Sequence, residues 1–462
     1  MKKPALKVLT LFCLLSGVVP AGMAKPMNVL LIVADDLNTQ LGCYGNATVK
    51  SPNIDRLASM GVRFDRAYCN YPLCNPSRTS FLSGRYPETT QVFGNNTAPR
   101  TSLGNIEFMP EYFRTNGYFT ARVGKVAHGK FEDALKWDVS EDSGKDDDET
   151  EEGKPRTRKR NQEGAQDVPF AWRASDLKDE QEPDGRTSRR ISELLEQHKG
   201  NDKPFFLAAG FHKPHIPHVA PKKYFDLYSL DKIPLPKEPA GHSKDIPAIA
   251  HSPKYYPDLT DTQKRSIILH YYAATTFMDS QVGILLDTMD RLKMWDNTIV
   301  IFLGDHGWHH GEHDGMWAKM SLMEESARAP LIVVAPGKKH GAVCSRVVEF
   351  VDLYPTLTDF CGLKTPGGLE GLSFASLLKN PAQPWKKGVF SVVNRRGGLG
   401  HSVRSEEFTY TEWPDGSTQL YNHVNDPKEY LNLAKKTDYV KTLAEMKALL
   451  HGGPKAARPN VK

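Results

Sequence analysis

The sequence predicts an α/β fold in which a doubly wound, mostly parallel sheet lies between layers of helices. Three observations carry this prediction: uninterrupted apolar runs of strand length, helical patterns between them, and polar residues directly after several of the runs. Strands that alternate with helices are typical of parallel sheets covered on both faces. Polar residues just beyond the strands lie where open α/β sheets bind their ligands.

The apolar runs are continuous rather than alternating, as expected of strands buried on both faces. They cover residues 28–34, 204–210, 298–303 and 331–335. Helices with apolar spacing are predicted at residues 53–60, 186–197 and 262–291.

The character of the chain changes after about residue 381. Three short strands and a closing helix are predicted there, at residues 389–394, 401–403, 408–413 and 438–450. This order is typical of a small antiparallel sheet with a C-terminal helix. The sequence therefore predicts a main domain over residues 25–380 and a C-terminal subdomain over residues 381–462.

The N-terminus has the composition of an export signal. Lys2 and Lys3 precede an apolar run over residues 8–19, and small residues follow at 22–24. The run is too short to cross a bilayer, and no later segment is long and apolar enough to do so. Residues 1–24 are predicted to be a signal peptide that sends the protein to the periplasm or outside the cell.

The chain of 462 residues is 39% hydrophobic and 25% charged, with a net charge of +5. This ordinary globular composition does not suggest a nucleic-acid partner, although a local basic site for an anion is compatible with it. Residues 138–164 depart from it, with an acidic run at 146–149 and a mostly basic run at 154–160. They are interpreted as a solvated insertion, with a lid or a polysaccharide contact as the open alternative.

The cysteines do not form the dense framework of a disulfide-stabilised scaffold. Cys13 leaves with the signal peptide, and Cys43, Cys69, Cys344 and Cys361 have no assigned chemistry. Export permits disulfides, yet free buried thiols are equally compatible with the sequence. If bridges form, the neighbouring pairs are Cys43 with Cys69 and Cys344 with Cys361.

Two polar pairs follow predicted strands, Asp35-Asp36 after the first and Asp305-His306 after the third. Asp35 and Asp36 alone could cap a helix. Three carboxylates converging from strand ends would repel one another without a cation, so together the pairs indicate a metal site. Its oxygen-rich ligands favour calcium or magnesium, although imidazole is unusual on a hard cation. A zinc site in the run 309–313 is the weaker alternative, because helical ligand spacing is missing.

Other segments offer cationic and proton-transferring side chains. In a helix start or tight turn, Lys125 and His128 could face one site, where Lys125 would bind an anion and His128 would move a proton. A surface pair is the plain alternative for so weak a motif. Residues 211–218 hold three histidines and two prolines after a predicted strand, which indicates a rigid, polar, functional loop. Lys319 follows the second metal pair and would be a further cation.

The most specific motif surrounds Cys74. Residues 74–78 read C-N-P-S-R and residues 82–85 read L-S-G-R. This segment resembles the one by which type I sulfatases are recognised, and the resemblance implies that Cys74 is oxidised to formylglycine. The hydrated aldehyde carries two hydroxyls on one carbon: one can attack sulfur and the other can later expel sulfate, which a thiol cannot do. A buried structural cysteine beside a proline turn is the alternative.

Further segments are similar to the iduronate-2-sulfatase branch of this family. They read L-G-C-Y-G at 41–45, S-P-N-I-D at 51–55, F-H-K-P-H-I-P at 211–217, and G-E-H followed by W-A-K within 311–319. The likeness continues through residues 403–413 and so covers nearly the whole mature chain. The charged insertion at 138–164 departs from it beside the expected cleft, where it could change which sugar is bound.

The resemblance implies an alkaline-phosphatase-like sandwich with a large mixed sheet between helices and a small C-terminal antiparallel sheet. It also implies one divalent ion, most simply calcium. The implied metal ligands are Asp35, Asp36, Cys74 (as formylglycine), Asp305 and His306. The implied catalytic residues are Cys74, Arg78, Lys125, His128, His215 and Lys319.

The resemblance also assigns roles. Arg78 and the metal would hold the nucleophile, while Lys125 and Lys319 would stabilise the sulfuryl oxygens. His215 would protonate the departing sugar oxygen. His128 would take the proton from the second hydroxyl. Each of these roles is an expectation that the resemblance implies.

The predicted function is hydrolysis of carbohydrate sulfate esters from the non-reducing end, with a 2-O-sulfated uronate as the first expected substrate. The implied partners are a sulfated carbohydrate and a formylglycine-generating or anaerobic sulfatase-maturating enzyme. Three alternatives remain: a phosphonate or phosphate ester hydrolase of the same superfamily, a non-catalytic binder of sulfated glycans, and a zinc phosphodiesterase with a Ser or Thr nucleophile. The complete set of catalytic residues speaks against the binder.

Overall fold

An eight-stranded sheet forms the centre of the computed structural model, which describes residues 26–144 and 168–459. The predicted signal peptide, residues 1–24, lies outside these ranges, and so does the predicted insertion from residue 145 onward. Within these two ranges, no helix has both the length and the hydropathy that crossing a membrane requires.

The elements are numbered in chain order. The strands are β1 Asn28–Asp35, β2 Val62–Phe64, β3 Ala67–Tyr68, β4 Phe119–Gly124, β5 Val139–Glu141, β6 Trp172–Ser175, β7 Phe205–Pro214, β8 His218–Pro221, β9 Lys254–Tyr255, β10 Thr298–Gly304, β11 His309–His310, β12 Met316–Ala318, β13 Leu331–Val334, β14 Ala342–Cys344, β15 Val348–Glu349, β16 Val389–Arg395, β17 Gly398–Arg404, β18 Phe408–Glu412 and β19 Thr418–Asn422. The helices are α1 Pro52–Met60, α2 Cys74–Ser83, α3 Pro87–Thr90, α4 Pro99–Leu103, α5 Met109–Thr115, α6 Pro183–His198, α7 Lys222–Phe225, α8 Asp261–Leu292, α9 Glu312–Gly315, α10 Glu324–Ala327, α11 Leu353–Phe360 and α12 Val440–Ala457.

The large sheet has the strand order β14-β2-β13-β10-β1-β7-β4-β5. β13 pairs antiparallel with both of its neighbours, whereas the remaining pairs of this sheet are parallel. The sheet is therefore mixed and mostly parallel, as predicted. Because β10, β1, β7 and β4 run parallel to one another, their carboxyl ends lie side by side at one edge.

The central strand β1 shows why the predicted runs are apolar throughout. Val29 and Leu31 belong to a core formed with α2, α5 and α11, whereas Leu30 and Ile32 belong to a core formed with α1, α6 and α8. All four side chains are fully buried. Burying a side chain of this kind stabilises the fold by about 1.5–3 kcal/mol relative to leaving it exposed. Helices on both faces thus favour a continuous apolar run.

The predicted insertion begins too early. Val139–Glu141 form β5, which pairs in parallel with β4 at the edge of the large sheet. The guanidinium of Arg122 donates to Ser140 Oγ across this pair at 2.8 Å. A three-residue, partly exposed edge strand carries too little apolar pattern to be recognised from the sequence, and the prediction of a solvated segment is wrong for these residues.

The described cysteines outside the site, Cys43, Cys69, Cys344 and Cys361, are free thiols. The two pairings considered from the sequence are therefore not formed. Cys344 Sγ lies 3.4 Å from the carbonyl of Pro381, and Cys361 lies among the apolar side chains of the core that includes α11. Burial raises the pKa of the Cys344 and Cys361 thiols to about 11.

The C-terminal sheet, β16-β17-β18-β19, is antiparallel throughout and confirms the predicted small sheet. The sequence does not predict its fourth strand, because the five residues of β19 mix polar and apolar side chains without a clear pattern. Met446 of α12 packs with Phe390, Val403 and Tyr410 on one face of this sheet. The closing helix is therefore placed as the sequence predicts.

A buried ion pair joins the two parts of the chain near residue 381, although the domain boundary itself stays a prediction. Lys386 Nζ lies 2.7 Å from Glu349 Oε1 and 2.6 Å from Asp352 Oδ1, and the side-chain exposures are 4%, 1% and 0%. Burial and the neighbouring Glu349 carboxylate raise the pKa of Asp352 to about 6, against the opposing charge of Lys386. Removing the cation would leave two carboxylates buried together.

We expect the Lys386→Met variant to lose about 3–5 kcal/mol of unfolding free energy, because breaking one side of a buried ion pair leaves uncompensated charge. Urea denaturation at neutral pH measures this loss. The loss should shrink at lower pH, where the carboxylates become neutral. The control is Lys441→Met, whose ion pair with Glu445 is exposed and should change stability by at most about 1 kcal/mol. Equal losses in both variants would contradict the role of the buried pair.

Candidate active site

The carboxyl ends of four adjacent strands bring predicted site residues together. In strand order, the residues at or just beyond these ends are Asp305 and His306 for β10, Asp35 and Asp36 for β1, His215 for β7, and Lys125 and His128 for β4. Parallel strands end at the same edge, so residues distant in sequence meet there. β7 continues to Pro214, so the predicted polar loop is shorter than expected and His215 directly follows the strand.

Cys74 is the first residue of α2 and is fully buried. Its Sγ lies 3.7 Å from Asp36 Oδ1 and 3.5 Å from His306 Nε2. Lys319, directly after β12, places its Nζ 3.0 Å from the same sulfur. The side chain at position 74 thus faces the carboxyl edge of the sheet, with the positive end of the α2 dipole behind it.

Arg78, one turn further along α2, ties the helix to the strand ends. Its Nε donates to Asp305 Oδ2 at 2.9 Å and its Nη2 donates to Asp35 Oδ1 at 3.2 Å. Its Nη1 donates to the carbonyls of Lys125 and Val126 at 2.6 and 3.1 Å. The planar fork of arginine can serve these acceptors together, which the single ammonium of lysine cannot.

The two carboxylates at the end of β1 each have an ammonium partner. Lys125 Nζ pairs with Asp35 Oδ2, and Lys319 Nζ pairs with Asp36 Oδ1. Burial alone would raise the pKa of Asp35, but Lys125 and further cations hold it well below its usual range, and Lys319 lowers the pKa of Asp36 in the same way. The carboxylates raise the pKa of Lys125 and of Lys319 against the opposing effect of burial. These groups are charged at neutral pH.

The cluster also fits a divalent cation. Two overlapping sets have ligand atoms within 4.8 Å of one another: Asp35, Cys74, Asp305 and His306, and Asp35, Asp36, Cys74 and His215. Asp36 Oδ2 is buried and accepts no hydrogen bond from the described residues, so it is available to a cation. Carboxylate oxygens suit calcium or magnesium.

The tautomer of His306 is compatible with a metal ligand. Its Nδ1 lies 2.9 Å from the carbonyl of Gly307, so this nitrogen carries the proton. Nε2 then presents a lone pair 3.3 Å from Asp36 Oδ1 and 3.6 Å from Asp305 Oδ1. Metal-ligating histidines are commonly oriented by a hydrogen bond of this kind on the second nitrogen.

Two further histidines lie in different electrostatic environments. His215 Nε2 is 3.8 Å from Asp36 Oδ2, and one third of its side chain is exposed. Burial lowers the pKa of His215, but Asp36 and Asp35 raise it above the ordinary value. Burial and the charge of Lys125 lower the pKa of His128 to about 3, so His128 is neutral. The edge therefore holds one histidine that favours a proton and one that does not.

Several groups that support the site are not predicted from the sequence. Tyr271 of α8 donates its hydroxyl to the carbonyl of Asp36 at 2.8 Å. The carboxylate of Asp184 accepts the backbone N–H groups of His212 and Lys213 at 2.7 and 3.0 Å and so positions the end of β7. Ser77 donates its hydroxyl to the carbonyl of Asp305. No sequence motif indicates the contacts of Tyr271, Asp184 and Ser77, because these contacts join elements that are distant along the chain.

The histidine-rich run 309–313 does not join this cluster in the described part of the chain. His309 Nε2 contacts Ser321 Oγ at 2.7 Å, and the His310 ring packs edge-on against Tyr271 at 4.4 Å between centroids. His313 faces Glu325, at 3.4 Å between Nε2 and Oε2. The zinc alternative considered at this run therefore finds no support at the carboxylate edge.

The mixed, mostly parallel sheet with helices on both faces and the small antiparallel C-terminal sheet define a fold of the alkaline-phosphatase-like class. A phosphonate monoester hydrolase of Agrobacterium radiobacter has this fold, with a TM-score of 0.78, 21% identity, and coverage of 93% of this chain and 96% of that one. At this identity the likeness concerns the fold alone.

The family is shown by the sequence comparisons. Residues 27–363 match the family model described as Sulfatase, and residues 311–453 match the one described as N-sulphoglucosamine sulphohydrolase, C-terminal. Human iduronate 2-sulfatase is 36% identical over 84% of this chain and 85% of its own length. A sulfatase of Formosa agariphila is 32% identical over 92% of this chain and 86% of its own length. The chain belongs to the sulfatase family and is a sulfuric ester hydrolase.

Proposed function

We propose that this protein removes sulfate from the non-reducing end of acidic carbohydrates, using formylglycine made from Cys74 and one divalent ion. The observation that carries this proposal is the position of the Cys74 side chain, which lies 3.0 Å from Lys319 Nζ and 3.5 Å from His306 Nε2. The 36% identity to human iduronate 2-sulfatase supports a carbohydrate substrate and makes a 2-O-sulfated uronate the first candidate.

The proposed modification has a consequence for maturation. Formylglycine supplies, as its hydrate, one hydroxyl that attacks sulfur and a second that allows sulfate to be expelled. Cys74 is fully buried at the start of α2, and Asn75 Nδ2 anchors the same turn to the carbonyls of Gly94 and Thr97 at 2.9 and 2.8 Å. A maturating enzyme therefore has to reach this segment before the chain folds.

The ion would be held by Asp35, Asp36, Asp305 and His306, together with the modified side chain at position 74. It would neutralise the converging carboxylates and supply positive charge beside the sulfuryl oxygens. Calcium is the proposed ion because three of the four residues offer carboxylate oxygens.

Position and charge support the roles that we propose for the remaining residues. Lys125 and Lys319 present ammonium groups beside the carboxylate edge and would stabilise the sulfuryl oxygens. One third of the His215 side chain is exposed, and His215 would protonate the leaving sugar oxygen. His128 is neutral and would accept the proton of the second hydroxyl. Arg78 would hold the Asp305 and Asp35 carboxylates in place.

The Cys74→Ala variant should release no sulfate while keeping the native fold, because the change removes only one sulfur atom at the carboxyl edge. Mass spectrometry of active enzyme should find residue 74 about 18 Da lighter than encoded, the difference between CH2SH and CHO in side-chain composition. Cys361→Ala, a buried free thiol elsewhere, is the control and should keep its activity. Active protein with an intact thiol at Cys74 would refute the mechanism.

The metal proposal predicts that chelation inactivates the enzyme and that added calcium restores it. Asp305→Ala should lower the calcium bound per chain, measured by inductively coupled plasma mass spectrometry, because this carboxylate belongs to the ligand set. Asp287→Ala, an exposed carboxylate paired with Arg56, is the control and should bind calcium normally. Full activity of metal-free protein would argue decisively against the ion.

The exposures of the site residues favour an end-directed enzyme. The Lys125 and Lys319 side chains are only 11% and 14% exposed, so most of each side chain is enclosed by the protein. A pocket of this kind admits a chain end more readily than the middle of a chain. The predicted signal peptide would place the enzyme in the periplasm or outside the cell, where polysaccharide fragments arrive.

Sulfate should therefore be released faster from a short oligosaccharide with a terminal 2-O-sulfated uronate than from intact polymer at equal sulfate concentration. Free sulfate measured over time gives both rates. Early loss of internal sulfates, at equal rates on both substrates, would indicate endo action. Parallel assays with an aryl sulfate, an aryl phosphate and an aryl phosphonate would distinguish the sulfatase from a phosphonate or phosphate ester hydrolase.

A further inference from the structure

A second group of possible metal ligands lies away from the carboxylate edge. It consists of Glu238, His242 and His313, whose ligand atoms all lie within 4.8 Å of one another. Glu238 and His242 come from the segment before α8, and His313 comes from the turn between β11 and β12. The group shares no residue with the ligand sets of the active site.

One ring nitrogen of each histidine is not engaged by a hydrogen bond within the described residues. His242 Nδ1 lies 2.9 Å from the carbonyl of Pro239 and so carries the proton, which leaves Nε2 unprotonated. His313 Nε2 lies 3.4 Å from Glu325 Oε2, which leaves Nδ1 as its second nitrogen. Neither His242 Nε2 nor His313 Nδ1 has a hydrogen-bond partner among residues 26–144 and 168–459, and both are buried.

These outer contacts are those expected around a metal ion. Metal-ligating histidines usually donate the second ring N–H to a backbone carbonyl or a carboxylate, which fixes the tautomer and aims the free nitrogen at the ion. Here Pro239 supplies the carbonyl for His242, and Glu325 supplies the carboxylate for His313. The two rings have side-chain exposures of 3% and 0%, so neither free nitrogen is directed at bulk water.

Glu238 is held in place to complete the group. Its Oε1 and Oε2 accept the backbone N–H groups of His313 and Asp314 at 2.5 and 3.0 Å. Its Oε2 lies 3.9 Å from His242 Nε2, too far for a hydrogen bond. Two ligands on one tetrahedral zinc ion lie about 3.4 Å apart when each is about 2.0–2.2 Å from the metal. Small side-chain rotations would therefore bring both atoms into coordination.

The electrostatic surroundings favour a cation. Glu312 is buried, the Glu325 side chain is only 8% exposed, and the Tyr430 ring covers His242 and His313 at 4.9 and 5.8 Å between centroids. Burial alone would lower the pKa of His313, but Glu325 and other carboxylates raise it to about 9. The alternative to a bound metal ion is therefore a protonated His313 ring. In that state a proton would occupy the nitrogen that would otherwise bind the metal.

We propose that Glu238, His242 and His313 bind one divalent transition metal of the zinc class, with water as the fourth ligand. Two imidazoles and one carboxylate match the ligands of zinc and not the oxygen cage of calcium. The ion joins the segment before α8 to the β11–β12 hairpin, whose second strand leads into Lys319. This proposal is independent of the proposed function.

The test uses the full mature protein, stripped by a chelator and then supplied with excess calcium to fill the active site. Cobalt(II) is added as a probe, since it replaces zinc and absorbs visible light according to its ligands. We expect one bound cobalt per chain, with the strong visible bands of a four-coordinate site. His242→Gln and Glu238→Gln should each weaken cobalt binding at least about 10-fold.

His251→Gln is the matched control. His251 is a half-buried histidine stacked on Tyr255, and its Nε2 also lacks a hydrogen-bond partner within the described ranges, yet it belongs to no ligand group. Its cobalt affinity should equal that of the unchanged protein. Absence of bound cobalt in the unchanged protein, or equal binding by His242→Gln, would overturn the proposal and favour the metal-free imidazolium.

A measurement on the unchanged protein covers the case in which the variants do not fold. X-ray absorption of zinc-loaded protein should show nitrogen and oxygen ligands with two imidazoles and no sulfur. A sulfur ligand would place zinc at one of the cysteines and overturn the proposal. Asp305→Ala, which lowers calcium binding in the proposed active site, should leave the cobalt bands unchanged, so the failure of one proposal is distinguishable from the failure of the other.

Discussion

Three fully buried carboxylates, those of Asp35, Asp36 and Asp305, converge at one edge of the central sheet. Buried charges at such separations are costly unless cations and hydrogen bonds surround them. Arg78 meets this requirement for Asp305 and Asp35, and Lys125 and Lys319 pair with the two aspartates of β1. Removing Arg78 would leave the buried Asp305 carboxylate without its guanidinium partner, and removing Lys319 would leave Asp36 without its ammonium partner. The geometry of the edge therefore depends on charge balance as much as on packing.

The same balance links stability to chemistry. The helix α2 supplies both Cys74 and Arg78, so the helix that presents the proposed nucleophile is also fixed by the carboxylates it faces. Lys319 arrives from the β11–β12 hairpin and contacts both Asp36 and Cys74 Sγ. A bound divalent ion would share the carboxylates with these ammonium groups. It would free the lysines to contact the sulfuryl oxygens of a substrate.

Interactions away from the edge hold the contributing elements in place. The buried pair of Lys386 with Glu349 and Asp352 ties the C-terminal sheet to the core around α11. On the other side, Glu238, His242 and His313 connect the segment before α8 to the hairpin that ends at Lys319. Both clusters consist of charged or ionisable groups that are buried together. Buried charged and ionisable groups thus hold together segments that are distant along the chain.

The sequence by itself determined the parts of the protein that depend on local pattern. Continuous apolar runs identified β1, β7, β10 and β13, because strands covered on both faces leave no room for polar alternation. The motif at residues 74–78 identified the sulfatase family. Polar pairs after strands named residues that meet at the carboxyl edge, since parallel strands end at a common edge. Each of these patterns is contained within a few consecutive residues.

Only the tertiary structure decided features that depend on distant contacts. The short edge strand β5 and the fourth C-terminal strand β19 gain their pairing from neighbours, not from their own pattern. Tyr271 of α8 and Asp184 of α6 support the site, and no sequence motif indicates these contacts. The grouping of Glu238 and His242 with His313 is likewise invisible in the sequence, because the Glu238 carboxylate accepts the backbone N–H groups of His313 and Asp314 only when the two segments meet.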